Sequence, residues 1–138
     1  MADDLVVGYD GTPGARAAAA EAMRLAKALD ARVVFAFAYW TNPAGGDVGD
    51  ILKALRELGE AHLAEAKQQA EAAGVAARAE LVNDRPSTGL VAVADDVGAQ
   101  MIVVGSYGEK PFKGALIGST AHKLLHLSER PVLVVRAP

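Results

Sequence analysis

The chain alternates between short runs of apolar residues and longer segments in which apolar residues recur every three or four positions. The short runs are rich in Val, Ile, Leu and Phe, as buried strands are, and the longer segments have the period of amphipathic helices. This pattern predicts five strands and four helices in strict alternation. In chain order, the predicted elements are residues 5–9, 15–29, 32–39, 51–73, 77–82, 87–97, 101–104, 119–127 and 131–135.

Most of the predicted strands are continuously apolar rather than apolar at every second position, which indicates burial on both faces; the third, 77–82, is a weaker strand. Strands of this kind, each followed by a helix, predict an α/β fold with a doubly wound parallel sheet and helices on both faces. The chain has 138 residues, which suits one domain over residues 1–138.

Local signals set the ends and faces of the helices. Thr12 followed by Pro13 predicts an N-cap and a first helical position, and Gly74 predicts a helix end. In the first helix, an apolar face made by four residues is expected to be buried. These residues are Ala18, Ala22, Leu25 and Leu29.

The segment 103–119, V-V-G-S-Y-G-E-K-P-F-K-G-A-L-I-G-S, carries the main chemical signal. A strand runs into Gly105 and Gly108, and nine residues later Gly118 precedes Ser119 and Thr120 at the start of a helix. Glycines let backbone N–H groups approach a ligand, and a helix start presents free amides and a positive dipole end. The segment predicts an anion cradle, best suited to phosphates.

In a doubly wound sheet, ligands bind at the carboxyl ends of the strands where the winding reverses. The glycine-rich exits of the first and fourth strands are expected to flank that crevice and to bring Asp10 beside the cradle. Asp10 would accept hydrogen bonds from a ribose hydroxyl or a base. Taken alone, Asp10 favours an Asx turn or a helix cap over a ligand role, and Gly105, Gly108 and Gly118 fit ordinary turn and cap positions.

The sequence excludes two other nucleotide-binding motifs and makes several further candidate sites less favoured. The P-loop lysine motif and the G-x-G-x-x-G fingerprint are both absent from the sequence. Lys110 and Lys113 could supplement a phosphate site or could be solvated loop residues. His122 and His126 lie four apart on one helix, where surface histidines are the favoured interpretation over a metal site. Tyr39 and Trp40 could border a base pocket or cap the core.

Composition narrows the class of protein. The net charge is −3 and the pI is near 5.6, which argues against a nucleic-acid partner. No apolar run approaches membrane-spanning length, so no membrane association is expected. The N-terminal residues lack a basic n-region and the chain has no cysteine, which together predict a cytoplasmic protein.

The spacing G-x2-G-x9-G-[ST] at Gly105, Gly108, Gly118 and Ser119 resembles the ATP-binding signature of the universal stress protein family. The resemblance extends over the whole chain, including V-V-G-Y-D-G-T-P near the start and S-E-R-P-V-L-V-V near the end. It implies strand order 3-2-1-4-5, with the reversal between strands one and four. It also implies a homodimer, formed through the last strand at residues 132–135.

The resemblance implies a nucleotide-binding role for a set of residues. Asp10 would contact the adenosine, the backbone near Ala38 the adenine, and the glycine segment the ribose and phosphates. The complete set is Asp10, Gly11, Thr12, Ala38, Gly105, Ser106, Gly108, Lys113, Gly118, Ser119 and Thr120. Three residues depart from the family pattern: Thr12 replaces Ser, Glu109 stands where a basic residue is common, and Pro111 stands where a small one is frequent.

The leading hypothesis is an ATP-binding stress-response regulator or switch, with Mg²⁺ as an accompanying ion. Any hydrolysis is expected to be slow, since the sequence shows no general base beside the phosphate site. A second hypothesis, favoured by Glu109, is a cyclic AMP sink or sensor of the same fold. A third is a ligand-free dimeric interaction module in which the glycines serve backbone geometry only.

Overall fold

The computed structural model describes residues 3–42, 48–106 and 117–137. Within these ranges, strands and helices alternate strictly along the chain. The elements are β1 (Asp4–Gly8), α1 (Pro13–Leu29), β2 (Arg32–Tyr39), α2 (Gly49–Ala72), β3 (Ala77–Asn83), α3 (Pro86–Val97), β4 (Met101–Gly105), α4 (Ser119–Leu127) and β5 (Val132–Val135). The predicted alternation is confirmed.

The strands form one parallel sheet in the order β3-β2-β1-β4-β5, as the resemblance implied. In the centre of the sheet, Val6 of β1 pairs with Val34 of β2 on one side and with Ile102 of β4 on the other. The chain winds outward from β1 to β3 and then crosses back to β4. The carboxyl ends of β1 and β4 therefore face the point of reversal, where a crevice opens.

Two helices cover each face of the sheet. Leu5 and Val7 pack against α1 and α2, whereas Val6 packs against α3 and α4. All three residues are fully buried, which explains why the middle of β1 is apolar at consecutive positions. The fold class predicted from the sequence is thus confirmed.

Helix α1 packs closely because its buried face consists of small residues: Gly14, Ala15, Ala18, Ala19, Ala22 and Ala26. The predicted burial of Ala18 and Ala22 is confirmed, but the burial of Leu29 is wrong, since that residue is 46 % exposed. Leu29 is the last residue of α1 and lies at the amino edge of the sheet, where the helix layer ends. Ala26 is buried in its place.

Among the described residues, none of the helices combines the length and hydropathy that crossing a membrane requires.

Candidate nucleotide site

The β1–α1 turn fixes Asp10 by a short hydrogen-bond relay. The amide and the hydroxyl of Thr12 both donate to Oδ1 of Asp10, at 3.1 Å and 2.6 Å. The Thr12 hydroxyl oxygen in turn accepts from the amide of Ala15, at 3.2 Å, and so caps α1. Thr12 as N-cap and Pro13 as first helical residue are therefore confirmed. The Asx turn that competed with a ligand role for Asp10 is present as well.

Helix α4 begins differently, with Gly118 as its N-cap and no side-chain hydrogen bond at the cap. The amide of Gly118 donates to the carbonyl of Ser106, which joins the start of α4 to the end of β4. Ser106 is itself 2 % exposed and donates its amide to Val135 of β5, at 2.8 Å. The start of α4 is therefore held in a fixed position at the crevice, and the first amides of a helix are the groups that an anion binds.

Three helices start around one cavity at the carboxyl edge of the sheet. Its described lining consists of Gly8, Tyr9, Asp10, Thr12, Ala15, Ala36, Phe37, Ala38, Pro86, Leu90, Val104, Gly105, Ser106, Gly118, Ser119, Thr120 and Ala121. The N-terminal residues of α1, α3 and α4 all contribute, so three positive dipole ends surround the space. Of the described lining residues, Asp10 is the one that is charged at neutral pH.

The cavity has a volume of about 160 Å³ and is open on one side. Small-molecule sites commonly occupy roughly 300–1,000 Å³. A ligand the size of a nucleotide would therefore extend through the open side.

Most of the sequence-predicted residues meet at this cavity. Those that line it are Asp10, Thr12, Ala38, Gly105, Ser106, Gly118, Ser119 and Thr120. Gly11 does not line it: its φ of +77° needs a glycine, and a Cβ there would lie 2.4 Å from the ring of His62 on α2. Gly108 and Lys113, with Glu109, Lys110 and Pro111, lie outside the described residues.

Gly105 has a packing role besides its place at the cavity. A Cβ at this position would lie 2.6 Å from the carbonyl carbon of Gly14, in the first turn of α1. Two glycines thus let the end of β4 and the start of α1 touch through their backbones. The sequence pattern suggested ligand approach as the reason for Gly105, and the structure adds this second reason.

Sequence reasoning missed the wall contributed by α3, where Pro86 and Leu90 face the cavity. A usable signal existed, because any helix that follows a strand of a parallel sheet starts at the same edge. Tyr39 and Trp40 do not belong to the described lining. Tyr39 packs in the core, and Trp40 stacks against Arg85, whose guanidinium carbon lies 4.5 Å from the ring centre.

A polar cluster lies behind the β1–α1 turn, against α2. The Tyr9 hydroxyl donates to Oε1 of Glu65 at 2.9 Å, and Arg16 pairs with the same oxygen at 3.2 Å. Burial, which disfavours the charged phenolate, raises the pKa of Tyr9. The hydrogen bond from Tyr9 and the charge of Arg16 lower the pKa of Glu65.

The fold and the cavity define a doubly wound α/β domain with a cavity at its crossover, lined by the N-terminal residues of three helices. The model of the universal stress protein family matches residues 1–136, and the chain belongs to this family. It is 31 % identical to the universal stress protein MJ0531 of Methanocaldococcus jannaschii, over 97 % of this chain and 82 % of the relative. It is 32 % identical to the universal stress protein Rv1636 of Mycobacterium tuberculosis, over 95 % and 94 % of the two chains.

Among solved structures, the chain is similar to a universal stress protein in complex with cAMP. The two share 31 % sequence identity and superpose with a TM-score of 0.79, over 99 % of this chain and 98 % of the other. This likeness agrees with the parallel sheet and its strand order.

Proposed function

We propose that this universal stress protein binds an adenine nucleotide in the cavity between β1 and β4. The observation that carries the proposal is the start of α4, where amides without a side-chain cap face a cavity with Asp10 on its other wall. In this proposal, the amides of Ser119 and Thr120 bind the phosphate, and Asp10 accepts a ribose hydroxyl.

The adenine end of the ligand would lie against apolar residues. Phe37, Leu90 and Val104 line the cavity together with the backbone of Ala38, at the end of β2. A flat base gains from such apolar contact, and backbone groups near Ala38 supply directional hydrogen bonds. This arrangement follows the roles that the family resemblance assigns to Asp10 and Ala38.

The glycine signature favours ATP as the ligand. ATP would bring Mg²⁺ with it, bound mostly by phosphate oxygens and water because Mg²⁺ gives up its waters reluctantly. The one carboxylate of the described lining, that of Asp10, is assigned to the ribose in this proposal, so the phosphate oxygens and water would hold such an ion.

Cyclic AMP is the second candidate, and two observations favour it. The similar solved structure with 31 % identity is a complex with cAMP. Moreover, the described lining contains no Lys or Arg to neutralise a triphosphate, whereas helix amides alone suit the single negative charge of a cyclic phosphodiester. Glu109 adds to this preference through its charge.

We extend the proposal to a cytoplasmic homodimer that acts as a stress-response switch. Among the described strands, β5 forms one edge of the sheet, and its four residues Val132–Val135 are each only partly buried. An apolar edge of this kind gains from pairing with a second copy. Nucleotide binding would be the signal that the dimer transmits.

The nucleotide carried by the protein tests the proposal directly. Protein purified without added ligand is heat-denatured, and the released small molecules are identified by mass spectrometry. ATP or ADP supports the first candidate and cAMP the second. Protein that is empty and shows no heat of binding with either nucleotide in calorimetry contradicts both candidates. The ligand-free dimeric interaction module is then the hypothesis that remains.

A substitution at Gly118 tests the location of the site. Gly118→Val is expected to abolish binding, because the branched side chain would occupy the phosphate position, while extended backbone angles (φ −73°, ψ 167°) accept valine. Ala76→Val serves as the control, since it adds a branched side chain at an exposed position at the other end of the sheet. Unchanged affinity in Gly118→Val would place the ligand elsewhere.

A further inference from the structure

The polar cluster behind the β1–α1 turn connects α2 to the proposed nucleotide site. Tyr9 is 2 % exposed, and its ring packs edge-on against Phe35 with centroids 5.8 Å apart. Its hydroxyl reaches Glu65 on α2, which lies 56 residues further along the chain. Tyr9 directly precedes Asp10, so the anchored ring sets the direction in which the turn leaves β1.

Glu65 holds both ends of this turn. One oxygen, Oε1, accepts from Tyr9 before the turn and pairs with Arg16, in α1, after it. The Asp10–Thr12 relay lies between these two anchor points. A single carboxylate thus fixes the separation of the strand end and the helix start that bracket the relay.

A second residue of α2 contacts the turn between the anchors. His62 lies one helical turn before Glu65, and its ring fills the space beside Gly11. The same ring stacks at a tilt on Phe37, with centroids 6.2 Å apart. The contacts of α2 with the turn therefore come from one helix face, at positions 62 and 65.

We propose that Glu65 is a positioning residue for nucleotide binding. It acts through Tyr9 and Arg16 to hold the Asp10 carboxylate at the cavity wall, and it does not touch the ligand itself. The inference rests on the proposed nucleotide function. Under this proposal, α2 controls the affinity of the site, although it contributes no residue to the described lining of the cavity.

The test compares three variants by calorimetric titration with ATP and with cAMP. Glu65→Ala removes both anchors and is expected to weaken binding about tenfold, because ligand binding must then also order the turn and the carboxylate that Glu65 no longer holds. Glu65→Gln keeps an acceptor for the Tyr9 hydroxyl and is expected to restore part of the affinity. Glu60→Ala is the matched control, because Glu60 is an exposed residue of the same helix that pairs with Arg56.

Urea unfolding of the same variants separates positioning from stability. A merely structural role would lower the unfolding free energy of Glu65→Ala and leave the affinity of the folded protein unchanged. Titrations are therefore made where each variant is fully folded by circular dichroism. Affinities of Glu65→Ala and wild type that agree within about twofold would overturn the positioning role alone.

The outcome for the wild type distinguishes the two proposals. A wild-type chain that binds neither ATP nor cAMP overturns the nucleotide function and this inference with it. Wild-type binding, with a tenfold loss in Glu65→Ala and partial recovery in Glu65→Gln, supports both.

Discussion

The close approach of β4 and α1 predicts that Gly105→Ala destabilises the protein. The added Cβ would lie 2.6 Å from the carbonyl carbon and 2.7 Å from the carbonyl oxygen of Gly14, and real Cβ atoms essentially never come closer than 3.0 Å. The obstructing atoms belong to the backbone of a helix and cannot rotate away. The start of α1 must move as a unit.

The size of the effect follows from that movement. Ordinary contact begins at 3.4 Å, so the backbones must separate by 3.4 − 2.6 = 0.8 Å. Overpacking of this kind costs about 1–3 kcal/mol, while replacing a flexible glycine returns roughly 0.5–1 kcal/mol through the unfolded state. These contributions leave a net loss of up to about 2.5 kcal/mol, and we expect about 1–2 kcal/mol because the obstructing atoms are backbone and cannot adjust alone. Nucleotide affinity should fall as well, since Thr12 and Ala15 move with the helix.

Urea unfolding followed by circular dichroism measures this loss, with Trp40, the single tryptophan, as an independent fluorescent probe. Gly89→Ala is the control, because its Cβ would lie 3.1 Å from a side-chain methyl of Val82 that can adjust. Alanine also gains about 1 kcal/mol of helix propensity there, so the control is expected to be close to neutral. A Gly105→Ala variant within about 0.5 kcal/mol of wild type would refute the reasoning.

Two further predictions concern stability. Because the folded pKa of Glu65 lies below its ordinary value of 4.5, the unfolded state takes up a proton first as the pH falls. The stabilisation from Glu65 is therefore complete above pH 4.5 and is lost below it. The unfolding free energy of Glu65→Gln should decline less steeply in acid than that of the wild type. Parallel profiles of unfolding free energy against pH would contradict this. Leu63→Ala is expected to cost about 2–5 kcal/mol, since Leu63 is 4 % exposed, whereas Leu29→Ala at 46 % exposure should stay within about 0.5 kcal/mol. Equal losses in urea unfolding would show that the exposure of Leu29 is wrong.

The fold was predictable because its signals are local and repeated. Continuous apolar strands, a capped helix start at Thr12 and the αL glycine at Gly74 each indicate one feature within a few residues. Leu29 was mispredicted since helical periodicity gives the direction of a side chain but not the extent of the sheet beneath it. That extent depends on how β1 pairs with β4, the two strands that α1 covers most closely, and the pattern of α1 does not contain this pairing.

The candidate site was predictable where its residues follow strand ends and carry glycine or hydroxyl groups. Pro86 and Leu90 were missed because they look like an ordinary helix start, although their position at the carboxyl edge follows from the parallel sheet. Glu65 could not be found in this way. Its contact with Tyr9 spans 56 residues, and an exposed-looking Glu in an amphipathic helix gives no local signal of a buried partner.

The Asx turn at Asp10 and the proposed ligand role of the same carboxylate support each other. Both hydrogen bonds from Thr12 use Oδ1, so Oδ2 is the atom that a ligand hydroxyl would meet. A carboxylate whose rotamer is already fixed loses less conformational entropy on binding than a free side chain does. The Thr12 hydroxyl also caps α1, which couples the orientation of Asp10 to the start of that helix. The local feature that explains Asp10 without a ligand therefore makes it a better ligand contact.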